Sequence, residues 1–510
     1  MVMKPVMVLS CHAWPQREIT GAAMRISARF CPFRHIRRAG PCILMTEPLS
    51  STRLVHLNSA CLGLAFLLVG LPICAMADPA GLWVAGGGGA KNDKTRAVTF
   101  DREGNVFLAG ETTDNGVFGE LKREGLGGMD FFLAKVSKDG RFLWVRSLGG
   151  SLVDRGYGVA TDSAGNAYVT GHFQSIDATW KGGSLANQGD YDVFVAKYSP
   201  QGEPLWIRTA GGKGYDYGHG VAVDSAGDVI VTGAVAGEAQ FDGTTVNAGS
   251  STRPIFCAKY SKEGELRWVK TTIGRFSGSG HGVAVDASDA IYIGGSGGGQ
   301  GSLGGKPLEI TGGQAGVVLK LTPQGDAVWT AAIAGQPSAG FHEITVDGTG
   351  RVWCAGMFKG SLKLASGEVA STGDKDSDGF LAHFSPDGVF QWARVVQGPA
   401  TDYCLGVATD GSGRSFVTGE FSAKAAFAGR SLESLGATDI FTAALTAAGD
   451  VEWLLPSGGA KGDNAYTMAW HPSGRLVIAG ACVAPADFGG KPMASPGGAE
   501  AYGAVLVPAR

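Results

Sequence analysis

Three histidines occupy one repeated position in this 510-residue chain. His219, His281 and His342 each stand two residues before the first valine-type residue of a short apolar stretch. The same slot elsewhere holds Arg96, Tyr157, Leu405 and Tyr466. Three imidazoles at one height on a channel mouth would bind zinc or another divalent ion and leave a position for water. The plainer reading is that a planar, partly polar side chain suits the slot, since tyrosine also fills it.

Carboxylates recur in two registers. Asp93, Asp154, Asp216, Asp402 and Asp463 each lie five residues before the valine-type position, where two other copies have Gly278 and Ala339. An acidic ring at a channel mouth would attract cations or sugar hydroxyls as ligands, or else each carboxylate ties its loop to nearby backbone. The second set, Asp101, Asp162, Asp224, Asp286, Asp347 and Asp410, ends the same stretch, with His471 in the last copy. An aspartate that opens a turn accepts hydrogen bonds from the turn's own amides. Repetition in every copy makes that role structural.

Asp374, Asp376 and Asp378 begin an oxygen-rich calcium loop, although Ser385 stands where the twelfth-position glutamate belongs. Asp378 also aligns with the ordinary repeat acids Asp130, Asp192 and Asp439. Gly294–Gly298 formally fits G-x-S-x-G but precedes no helix and is compositional. The chain has no P-loop, C-x-x-C or H-E-x-x-H motif. No catalytic residue is assigned, and no cofactor beyond zinc or calcium is expected.

These residues are positioned by a repeat. Trp83, Trp144, Trp206, Trp268, Trp329, Trp392 and Trp453 follow one another at 61 to 63 residues. After each comes a copy of the stretch GHGVAVDSAGDVIVTG at 218–233, two short strands around a glycine turn. Each unit closes with an apolar strand such as VFVAKY and a second turn. That makes four antiparallel strands per unit, with glycine supplying positive φ. No apolar 3.6-residue period lasts three turns, so no helix is expected. The pattern predicts an all-β, seven-bladed β-propeller. Its ring would close when the N-terminal strand at 82–85 completes the last blade.

The pattern at 144–198 resembles the bacterial SBBP repeat, named for seven-bladed β-propellers. Trp144, Gly149, Gly150, Asp154, Asp162, Gly165, Asn166, Tyr168, Gly171, Asp192, Phe194 and Lys197 carry the resemblance, which extends over 82–507. It implies the propeller fold and an exported or cell-surface protein, and implies no reaction.

Residues 1–77 read as a leader. Met45 is the expected true start, and Arg53 and His56 precede an apolar run and the A-x-A site Ala75–Ala77. Cleavage after Ala77 would leave 78–510 as a single propeller domain, secreted or periplasmic. Acylation at Cys74 is the rival, disfavoured by the bulky Ile73. Residues 1–77 hold 8 of the 43 Lys+Arg and 2 of the 46 Asp+Glu, so the remainder is acidic, at −9. That balance argues against nucleic acid as partner. No later apolar run is long enough to span a bilayer. Cys257, Cys354, Cys404 and Cys482 fall at unrelated repeat positions, so no disulfide framework is expected.

The expected function is a non-catalytic binding scaffold for a protein or a glycan, acting as a monomer in the periplasm or outside the cell. The alternative is a metal-dependent hydrolase or lyase that uses the histidine trio.

Overall fold

The computed structural model describes residues 79–508, apart from 182, 248–252, 365–366, 373–375 and 494–497. The leader expected over 1–77 and the calcium-loop residue Asp374 lie outside the described residues.

The described chain is all-β and contains no helix. One unit shows the plan. Asp154–Thr161, Ala167–Phe173, Asp192–Tyr198 and Pro204–Gly212 pair antiparallel in that order. The two middle strands are buried on both faces because side chains alternate along a strand. Val169 and Phe194 pack with Phe107 and Leu133 of the preceding unit. Tyr168, Val193 and Val195 pack with Val229, Val231 and Phe256 of the following one. The core therefore lies between successive sheets, which explains why these strands read as unbroken apolar runs.

The same four-strand order recurs from Lys94–Phe100 to Phe142–Leu148, from Tyr217–Val223 to Leu266–Thr271 and from Tyr403–Thr409 to Val451–Gly459. Between the last two, Ala327–Val346 runs through without a break. Its first part pairs as the outer strand of one unit and its second part as the inner strand of the next. At the ends of the chain, Ala80–Gly88 pairs antiparallel with Glu500–Val507, setting Trp83 opposite Val505. The first strand thus sits fourth in a sheet that begins at Asn464–His471, with a short hairpin paired beyond it.

Four strands do not exhaust a unit. The variable connections hold short hairpins that reach back to the preceding sheet. Glu238–Phe241, for example, pairs beside Pro204–Gly212, with Phe241 opposite Ala210. Phe118, Phe241, Phe427 and Phe488 of these connections are buried, so each hairpin is anchored by an apolar ring.

Turn chemistry fixes the strand ends. Asp162 accepts from the Ala164 and Asn166 amides at 3.0 and 2.9 Å, and from the Asn166 side chain at 2.7 Å. Asp101, Asp224, Asp286, Asp347 and Asp410 also accept from backbone amides of their own turns. His471 substitutes an imidazole nitrogen, which accepts from the Ser473 amide at 3.2 Å. The tryptophans bind one unit to the next. The Nε1–H of Trp83, Trp144, Trp206, Trp268, Trp329 and Trp392 donates to a turn carbonyl 55 to 57 residues ahead. Cys257, Cys354, Cys404 and Cys482 are all buried free thiols.

Candidate functional site

Each innermost strand carries a one-residue register shift at the same place. The residues skipped are Arg96, Tyr157, His219, His281, His342, Leu405 and Tyr466. A bulge frees one residue from the ladder and re-aims its side chain. Small neighbours permit it. A Cβ on Gly218 would meet Thr170 Oγ1 at 2.6 Å, and one on Gly220 would meet the Val283 amide nitrogen at 2.8 Å. All of these bulge residues except Leu405 face a common cavity of about 250 Å³. There the Arg96 guanidinium lies 4.9 Å from the Tyr157 ring centroid and 5.6 Å from that of Tyr466, and pairs with Glu111 at 2.7 Å. Glu343, between the strands, accepts from the Val407 amide at 3.0 Å and Thr467 Oγ1 at 3.1 Å. Burial pushes its carboxyl up to about 8.

The histidine trio is brought together as a stack. His219 and His281 have ring centroids 5.0 Å apart with 28° between planes, and His281 and His342 follow at 6.2 Å and 22°. Nitrogen lone pairs lie in the ring plane, so stacked rings aim them side by side. Among the described residues, no group of three or more His, Cys, Asp or Glu is placed to hold a metal ion. Burial pushes His281 down to about 3 and His342 to about 4, and lowers His219 well below its ordinary value. The three rings are neutral at physiological pH.

The five loop aspartates are wholly buried. Asp154 accepts from the amides of Gly150 and Gln174, both at 3.0 Å, and from Ser175 Oγ at 2.6 Å. Asp93, Asp216 and Asp463 bridge in the same way, each to the amide four residues back and the amide 20 residues on. Asp402 accepts from the Ser422 amide at 3.0 Å. These carboxylates face backbone donors on either side of the loop and brace it, Asp216 and Asp463 tying it to the outer strand of the preceding unit. Asp376 accepts from Thr401 Oγ1 at 3.4 Å, and the buried Asp378 from the Thr372 amide at 3.0 Å.

Sequence reasoning missed a second concave feature. A cavity of about 450 Å³ opens beside the histidines, walled by Tyr157, Tyr191, Tyr217, His172, Arg155 and Arg253. Ser277, Ser279, Ser296 and Gln314 add polar groups to it, and among the described residues its lining includes no carboxylate. The rings form a continuous surface. Tyr191 lies 5.7 Å from Tyr217 at 31°, and Tyr217 stacks on His219 at 5.8 Å and 19°. Tyr215, 44% exposed, stacks on Tyr217 at 6.4 Å and 13°. His172 is buried against Tyr157, Tyr191 and Tyr217, and burial pushes it down to about 3. A signal was present. Arg155 and Tyr217 stand two residues before Tyr157 and His219, which puts them on the same side of an alternating strand.

The fold is thus an all-β repeat of antiparallel sheets whose inner strands surround aromatic-lined cavities. Residues 143–172 match the SBBP β-propeller repeat. Over 195 residues the chain is 28% identical to an uncharacterized WD repeat-containing protein of Acanthamoeba polyphaga mimivirus, across 32% of this chain. It spans 14% of that relative's length. Among solved structures, a protein of unknown function from Bacteroides caccae aligns at TM-score 0.34 and 10% identity, over 64% of this chain and 89% of that one. A puromycin hydrolase mutant aligns at TM-score 0.40 and 12% identity, over 80% of this chain and 50% of that one. Likenesses at these scores carry no weight for activity.

Proposed function

We propose that the described chain forms a closed seven-bladed β-propeller that serves as an exported, non-catalytic scaffold for binding a glycan. Three features support the ring. The first and last strands pair, one apolar core joins Val98 and Phe132 to Val477 and Val505, and Arg96 lies between Tyr157 and Tyr466.

The observation that carries the binding role is the cavity of about 450 Å³ walled by Tyr157, Tyr191 and Tyr217. Its size falls in the ~300–1,000 Å³ range of small-ligand sites. Aromatic faces offer C–H stacking surface to a sugar ring, and the serines and Gln314 suit its hydroxyls. Among the described residues the lining offers no carboxylate pair of the kind that glycoside hydrolysis ordinarily uses. A protein partner would favour a broader, flatter surface.

A glycan array with the purified protein tests this reading, with Tyr217→Ala as control. Retention of a defined set of sugars that Tyr217→Ala loses, at an unchanged melting temperature, is the expected result. Retention that ignores Tyr217→Ala would remove the cavity from the account.

A further inference from the structure

Among the described residues, several part-buried or buried arginines are held by carboxylates. Arg96 binds Glu111, Arg123 binds Asp130, Arg351 binds Asp347, and Arg414 binds Glu452. Arg155 and Arg253 line the 450 Å³ cavity and make no ion pair with a carboxylate among the described residues. Arg155 Nε sits 3.3 Å from Met129 Sδ, a weak acceptor. The Arg253 guanidinium sits 5.1 Å from the ring centroid of Tyr217. The nearby Asp216 carboxylate is already held by the amides of Gly212 and Ala236. The histidines that border the cavity are neutral, so the two guanidiniums supply its charge.

We infer that the sugar seated in this cavity carries a carboxylate, as a uronic acid does, with Arg155 and Arg253 binding the acid group. This rests on the glycan reading above and names its ligand class. The sugar packs in the cavity against Tyr217 and Tyr191, which places its acid group beside Arg253. A guanidinium fork matches a carboxylate in a plane and strengthens the hydrogen bonds by charge. The acidic balance of residues 78–510 repels long polyanions, so the local basic site selects a short acidic unit over nucleic acid.

Titration calorimetry on the purified protein separates the possibilities, with a glucuronic-acid-containing disaccharide, its neutral glucose counterpart and inorganic phosphate as probes. The acidic disaccharide is expected to bind about tenfold or more tighter than the neutral one. Added salt should narrow that gap. Arg155→Gln and Arg253→Gln should abolish it while leaving the melting temperature in place, since neither arginine is in an ion pair. Equal binding of both disaccharides, lost in Tyr217→Ala, would overturn the acidic ligand and keep the glycan scaffold. Phosphate that displaces the acidic disaccharide at equal concentration would also overturn it. If neither disaccharide binds to folded protein, both this inference and the glycan reading fall.

Discussion

The imidazole of His219 stacks on that of His281, with ring centroids 5.0 Å apart and 28° between the planes. Tyr217 continues the stack on the other side of His219, at 5.8 Å and 19°. The histidines therefore extend an aromatic wall. The account predicts that neither EDTA nor zinc moves the melting temperature. A folded-state zinc site would raise it by mass action, by several degrees at saturating metal. Such a rise, lost in His281→Phe, would restore a metal centre.

The buried His172 gives a pH test. Its ordinary value is 6.5, and burial lowers it to about 3 in the fold. Below pH 6.5 the unfolded chain takes up a proton that the folded chain refuses. The stability linked to this ring is thus complete above pH 6.5 and lost as pH falls toward 3. The slope is at most ~1.4 kcal/mol per pH unit for one group. His172→Phe should melt less steeply with acidification than wild type between pH 6.5 and 4. Parallel curves for the two proteins would contradict the neutral, buried assignment. Asp192 and Asp402 act in the opposite sense. Burial raises each to about 7, so their contribution is greatest below pH 4 and declines as pH rises to 7.

Asp154→Ala tests the bracing role of the loop aspartates. It removes the acceptor of the Gly150 and Gln174 amides and of Ser175 Oγ. Orphaned buried donors cost ~1–3 kcal/mol each. A fall in chemical-denaturation midpoint of that order is expected, with Asp154→Asn intermediate. A stable variant with lost ligand affinity would return the carboxylate to a binding role.

Trp144 and Gly202 test the joint between units. The indole Nε1–H donates to the Pro200 carbonyl at 3.1 Å, and a Cβ on Gly202 would meet the indole at 2.7 Å. Gly202 also holds φ of +81°, which favours glycine. Gly202→Ala should cost ~1–3 kcal/mol, and Trp144→Phe ~1 kcal/mol through the lost hydrogen bond. The measurement is the denaturation midpoint of each variant. Two neutral substitutions would mean that the joint does not bear on stability.

Local chemistry was legible in the sequence where every copy of the repeat shares it. The Asp162-type turns and the Trp144-type period are stated by spacing, and the strands that flank them follow from apolar alternation. What spacing does not carry is direction. A carboxylate such as Asp154 reads the same whether it faces solvent or its own loop amides. The inner-strand bulge at His219 is a register event between two strands, and one strand's residues do not reveal it. The cavity was hidden for another reason. Tyr191, Tyr215 and Arg253 stand where the copies differ, and only folding brings Tyr191 and Arg253 beside Tyr217.

The most direct test is a crystal structure of the protein soaked with the sugar that binds it best. The account predicts a ring of seven blades with sugar density in the cavity beside Tyr217 and Tyr191, within reach of Arg253. Density elsewhere on the surface, or a metal ion among His219, His281 and His342, would contradict it.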